Sequence, residues 1–172
     1  MKTTVSLEKT GFAREERSPE EGTLKALVGS GDKIALFALP FVVVGLALNF
    51  WLPALFSVGG PPLAATCLAI ALLIPGVTLW GWSAALIVTR VPRKELITHG
   101  PYALLKHPLY TGVALLVLPA LGLLLDSWLG IALGAVLYCG SRMYSPLEER
   151  ELSKTFGAAW DDYCKRVIIP WL

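Results

Sequence analysis

The sequence predicts an all-α protein: an integral membrane bundle of about four transmembrane helices, with a helical hairpin and a cytoplasmic C-terminal helical cap. Three observations predict it. Of 172 residues, 55% are hydrophobic and 16% charged, whereas an ordinary soluble domain carries about 25% charged residues. No Asp, Glu, Lys or Arg occurs from Ile34 to Thr89, and Asp126 is the only one between His107 and Ser141. The 15 Lys and Arg fall in three segments, 1–33, 90–106 and 142–172, leaving the loops near 53–62 and 126 without any. A mean hydropathy of +0.61 agrees. So much apolar surface has no place on a soluble domain of this length, which needs a polar coat.

The elements follow from these gaps. A helix needs about 20 apolar residues to cross ~30 Å of hydrocarbon. The first gap is long enough for two crossings, at about 33–53 and 63–89, with Pro53–Pro62 as the turn. The second holds a tight hairpin, at about 108–125 and 127–145, turning at Leu125-Asp126-Ser127. Positive residues stay cytoplasmic during insertion. That rule predicts a multi-pass protein with both termini and the 90–107 loop in the cytoplasm. Pro40, Pro75 and Pro119 are sites for kinks, because each removes a backbone donor. Gly130 and Gly134 form a small-xxx-small step that lets two helices approach closely.

Ahead of the first span, residues 1–32 mix acidic and basic side chains and lack the apolar core of a signal peptide. Ser18-Pro19-Glu20-Glu21 reads as a helix start with a capping box. The short helix that follows is expected to lie at the membrane surface. The chain therefore divides into this cytoplasmic segment, 1–32, a first pair of spans, 33–93, and a polar-rimmed region, 94–172.

That last region holds the chemistry. Gly100-Pro101 signals a turn. Tyr102, Lys106, His107 and Tyr110 then crowd the start of the third span, where Pro108 suits a first helical turn. These residues suit an interfacial anchor and a binding site equally well. After the fourth span, Pro146 is expected to break the helix, with Glu148 and Glu149 opening a new one at the positive end of its dipole. The hairpin brings residues 102–110 and 142–152 to one membrane face. Trp160, Tyr163, Cys164 and Val167 recur at amphipathic spacing, so the tail is expected to fold back over this face. Three scattered cysteines and two histidines show no metal-ligand spacing.

The ordered set Gly100-Pro101-Tyr102, Lys106-His107-Pro108-Leu109-Tyr110-Thr111-Gly112, Glu148-Glu149, Phe156-Gly157 and Trp160-x-x-Tyr163, with Val167 and Pro170, resembles the isoprenylcysteine carboxyl methyltransferase family of membrane methyltransferases. The resemblance covers residues 94–172; the first two spans carry no such signature. It implies S-adenosylmethionine as cofactor, held on the cytoplasmic side by Lys94, Glu95, Leu96, Ile97, Tyr102, His107, Pro108, Leu109, Tyr110 and Glu148. The family's RHPxYxG block has Lys106 in place of its arginine. The family's substrate-contacting arginine falls at Tyr144, with Arg142 nearby, so these two are the candidate substrate-binding residues. No catalytic residue is assigned, since a carboxylate acceptor has no proton to remove. The implied partners are the bilayer and a lipophilic small-molecule, lipid or prenylated acceptor, with no nucleic acid and no metal. An NADPH-dependent reductase related to sterol reductases and a non-enzymatic scaffold are the alternatives.

Overall fold

The computed structural model describes residues 19–60 and 62–170, with side chains described from residue 31 onward. The described residues are helical, apart from loops and one isolated β-bridge between Leu105 and Ile169. Helix α1, Pro19–Trp51, is followed by a single turn, α2, Pro53–Phe56, and by α3, Leu63–Arg90. A 3-10 turn, Val91–Arg93, leads through a loop to the short α4, Pro101–Leu104. The next rod, Pro108–Leu124, consists of α5 (Pro108–Gly112), a π-helical turn (Val113–Val117) and α6 (Leu118–Leu124). Helix α7, Leu129–Phe156, returns antiparallel to it, and α8, Ala158–Arg166, closes the chain's helical part.

The described part of helix α1 starts at Pro19, and the expected start signal's cap, Ser18, lies outside the described residues. It then runs without a break into the apolar stretch, so the segment expected as a separate surface helix is continuous with the first span. Two helical stretches are long and apolar enough to cross a membrane, Gly31–Trp51 and Leu63–Arg93. The apolar rod Pro108–Leu124 is shorter, about 25 Å at ~1.5 Å per residue. The apolar half of α7 is followed by a charged half. Large apolar side chains point outward along α1 and α3, among them Leu36, Phe50, Leu63 and Val88. Such a continuous apolar exterior suits hydrocarbon and not water.

A second sequence expectation is overturned. Pro146 does not break the chain: α7 passes through it to Phe156. A proline costs its helix one hydrogen bond and crowds the preceding turn, but α1 and α3 likewise carry Pro40 and Pro75 inside. Packing of α7 against its neighbours holds the helix together across the gap. Glu148 and Glu149 therefore lie deep in a helix, and the reading of them as N-terminal dipole partners falls away. At Pro119 the response differs. The preceding turn widens to π geometry over Val113–Val117, relieving the contact between a proline ring and the carbonyl four residues back.

In the bundle, α7 packs between α1 and the Pro108–Leu124 rod, and the rod packs against α3. The α6–α7 contact rests on glycine. A Cβ on Gly130 would overlap the Leu118 carbonyl, and one on Gly134 would overlap that of Ala114. At this end the two loops are latched. Asp126, with φ of 52°, accepts hydrogen bonds from Ser57 Oγ at 2.6 Å, Gly60 N at 2.9 Å and Val58 N at 3.2 Å. Ser127 Oγ donates to Asn49 at 2.8 Å, and Trp128 stacks on Phe56 with ring centroids 4.8 Å apart.

The Ser57 hydroxyl, with help from the two backbone amides, holds the Asp126 carboxyl below the usual carboxylate range. A depressed folded-state pKa contributes stability above the unfolded value, lost as pH falls through the folded one. Asp126→Asn should therefore lower the melting temperature at pH 7. It should also flatten the decline of melting temperature below about pH 4, where an ordinary aspartate titrates. Thermal scans of detergent-solubilised protein from pH 3 to 7 check this; parallel curves for the two proteins would refute the latch.

Candidate active site

The opposite end of the bundle is built from short, turn-rich pieces. After the 3-10 turn, Lys94 adopts φ of 57° and sends the chain into an extended run. Glu95 ties this run to the end of α3: its carboxylate accepts from Arg90 at 2.6 Å, which holds the Glu95 carboxyl below its ordinary range. Gly100, at φ of 63°, lies against the Trp82 ring, where a Cβ would come within 3.1 Å. Only glycine meets both conditions. The tail then crosses over α4. Tyr163 Oη donates to the Tyr102 carbonyl at 2.9 Å, and Ile169 N donates to the Leu104 carbonyl at 2.9 Å. Trp160, Tyr163 and Val167 form a buried cluster on which Leu96, Leu152, Phe156 and Cys164 pack. The tail therefore folds back as its amphipathic spacing predicts, turning at Gly157 with φ of 51°.

Beneath it lies a cleft. The end of α3 and the turn after it contribute Ile87 and Val91; the extended run contributes Glu95, Leu96 and Ile97. Tyr102 and Lys106 come from either end of the α4 segment, and Glu148, Leu152 and Phe156 from α7. Trp160 and Tyr163 of α8 complete the wall. The lining combines apolar and aromatic side chains with two carboxylates, two phenols and one ammonium. Burial, reinforced by the Glu148 carboxylate, pushes the Tyr102 phenol well above its usual range, so it stays a neutral donor. Among the described residues, Leu96 and Ile97 make no backbone hydrogen bond, although Ile97 is buried. Buried backbone polar groups are nearly always paired, so this edge is suited to a ligand with its own donors and acceptors.

Five of the expected cofactor residues thus meet at one cleft: Glu95, Leu96, Ile97, Tyr102 and Glu148. The others stand beside it. Lys94 is exposed, and Pro108 is fully buried behind the cleft at the start of α5. Leu109 is half-buried on the same turn. The Tyr110 hydroxyl sits 3.0 Å from where a Cβ on Gly31 would be, against α1. His107 is buried and donates from Nε2 to Glu149 Oε1 at 3.2 Å. The other oxygen of Glu149 accepts from Lys106 Nζ at 3.2 Å. The His107 hydrogen bond, with Lys106 added, holds the Glu149 carboxyl below its ordinary range against the effect of burial. The two candidate substrate residues lie elsewhere: Arg142 is exposed, and Tyr144 meets Phe37 of α1 edge-on at 6.2 Å.

The two members of the Glu148-Glu149 pair are therefore placed differently, one lining the cleft and one bonded to Lys106 and His107. Sequence reasoning missed Lys106 as a cleft residue, though its place in the motif marked it. It missed Ile87 and Val91 altogether, because nothing distinguishes the last turn of α3 from the rest of an apolar helix. Among the described residues, no group of three metal-ligating side chains comes together.

The model of the isoprenylcysteine carboxyl methyltransferase family matches residues 62–154, more than half of the chain. The chain belongs to this family. No curated protein and no solved structure matches it. Membership places the protein among membrane methyltransferases in general. The match begins at residue 62 and takes in α3, where sequence reading found no signature, and it ends at residue 154, before the Phe156–Pro170 part of the resemblance. Ile87 and Val91 on the cleft wall give α3 its part in the site.

Proposed function

We propose that this protein is an integral membrane S-adenosylmethionine-dependent methyltransferase acting on a lipophilic acceptor, with the carboxylate of a prenylcysteine-like thioether as the first candidate. The observation that carries the reading is the cleft: Glu148 and Tyr102 line it together with the backbone edge at Leu96–Ile97, which makes no backbone hydrogen bond among the described residues, and with the aromatic rings of Phe156, Trp160 and Tyr163. These residues fit the cofactor chemically. The edge matches the donors and acceptors of an adenine. Glu148 suits an ammonium or ribose hydroxyls, and the aromatic faces suit a sulfonium. When bound, S-adenosylmethionine supplies a methyl group on a positively charged sulfur. The protein's own task is to orient the two partners and exclude water. Tyr102 and Glu148 hold position, while Leu152, Phe156 and Trp160 keep the wall dry. Titration with S-adenosylmethionine and NADPH tests the proposal: binding of the first and not the second is expected, and the reverse overturns it.

In this reading the bundle has four spans, with both termini and the cleft in the cytoplasm. Single cysteines at Val58 and Leu125, both exposed in the latched loops, on a background lacking Cys67, Cys139 and Cys164, should be labelled only from outside the cell. Labelling of either from the cytoplasm alone overturns this orientation.

His107 is proposed to shape the cofactor site and not to act as a general base, its Nε2 being engaged by Glu149. His107→Asn should weaken S-adenosylmethionine binding and turnover together. A base role predicts intact affinity, with turnover lost and rescued by raising the pH. Measuring both from pH 6 to 9 separates the two.

A further inference from the structure

Lys106 is the one basic side chain lining the cleft among the described residues. Its side chain is only 14% exposed, uncommon for a lysine. Its Nζ is fixed by Glu149 at 3.2 Å. Glu149 is itself steadied by His107. An ammonium has three N–H donors, and Glu149 engages one of them. A cation held at the edge of a cleft, with an N–H to spare, is an anion-binding group. The residues expected to meet an acidic acceptor do not line this cleft: Arg142 is exposed, and Tyr144 packs on Phe37.

We propose that Lys106 binds a carboxylate in this cleft, filling the role that Arg142 and Tyr144 do not reach. The inference rests on the cleft being the methyl-transfer site. Two carboxylates have the right chemistry: that of the cofactor's amino-acid end and that of an acidic, lipophilic acceptor. Both place negative charge at Lys106, while Glu148 on the same cleft receives positive charge or hydroxyls.

The test uses the full chain in nanodiscs and two matched probe pairs. S-adenosylhomocysteine is compared with 5′-methylthioadenosine, which lacks the amino-acid end. N-acetyl-S-farnesylcysteine is compared with its carboxamide. Lys106→Gln should bind at least one of the two acids at least about ten-fold more weakly, the effect of losing a charge-assisted hydrogen bond. Its affinity for the matching carboxylate-free probe should be unchanged. Lys106→Arg keeps the charge and should stay within about three-fold of wild type. A loss confined to S-adenosylhomocysteine assigns Lys106 to the cofactor, and one confined to the farnesyl acid assigns it to the acceptor. Equal affinity of wild type and folded Lys106→Gln for both acids overturns the proposal. So does an equal loss for acids and carboxylate-free probes, a failure of arginine to restore binding, or a wild type that binds neither acid. A wild type that binds the farnesyl acid through Lys106 but not S-adenosylhomocysteine would support Lys106 and overturn the cofactor reading.

Discussion

Glu148→Gln should weaken S-adenosylmethionine binding by about 10- to 150-fold, the equivalent of ~1.5–3 kcal/mol for a hydrogen bond to a charged group. The substitution keeps side-chain size and almost all helix propensity. Had Glu148 opened a helix, the loss of its charge would also have destabilised the fold. It does not open one: α7 runs from Leu129 to Phe156, and Glu148 faces the cleft well inside it. The fold should therefore survive while the affinity falls. Glu151→Gln, one turn on and exposed, is the control and should bind as wild type. Calorimetry with S-adenosylhomocysteine on both variants, beside their melting curves, checks this. Unchanged affinity in Glu148→Gln would remove Glu148 from the cofactor site, and a collapse of the melting curve would make its role structural.

The parts of the fold legible in the sequence are those written in composition and local chemistry. The uncharged gaps located α1, α3 and the hairpin, since a missing charge over such a length has few other physical explanations. The Gly157 turn and the spacing of Trp160, Tyr163 and Val167 located the returning tail. Pro146 was misread because a proline's local cost is visible in sequence, whereas the packing of α7 against α1 and the Pro108–Leu124 rod is not. The same gap hid the split between Glu148 and Glu149. Adjacent helical residues point about 100° apart, so one of them was bound to leave the cleft. Which one depends on how α7 is rotated against Lys106 and His107. Arg142 and Tyr144 were placed by register with the family pattern, and the rotation of α7 carries both away from the cleft lining. Ile87 and Val91 needed the loop after α3 to fold back beside them, a long-range event with no local signal.

Gly130→Ala should destabilise the protein by ~3 kcal/mol or more, the upper end for forcing extra volume into a packed contact. In an exposed helix the same change is favourable by about 1 kcal/mol, because alanine is the better helix former. The sign reverses here because of what a Cβ would meet. It would overlap the Leu118 carbonyl and lie 2.6 Å from Gly122 Cα and 2.7 Å from Gly122 N. These are backbone atoms of α6, which cannot rotate aside as a side chain can. Relief requires α6 and α7 to separate, and in a bilayer this close packing is a principal force between helices. Gly81→Ala is the matched control, since a Cβ there meets nothing within 4 Å; it should be neutral or stabilising. The consequence extends to the other end of the hairpin. The Lys106–Glu149 and His107–Glu149 contacts join the start of α5 to α7, and a hairpin wedged apart at Gly130 cannot keep both at 3.2 Å. Gly130→Ala should therefore lower both the melting temperature and the affinity for S-adenosylhomocysteine, and Gly81→Ala should lower neither. Equal melting temperatures for the two variants would show that the glycine contact does not hold the hairpin.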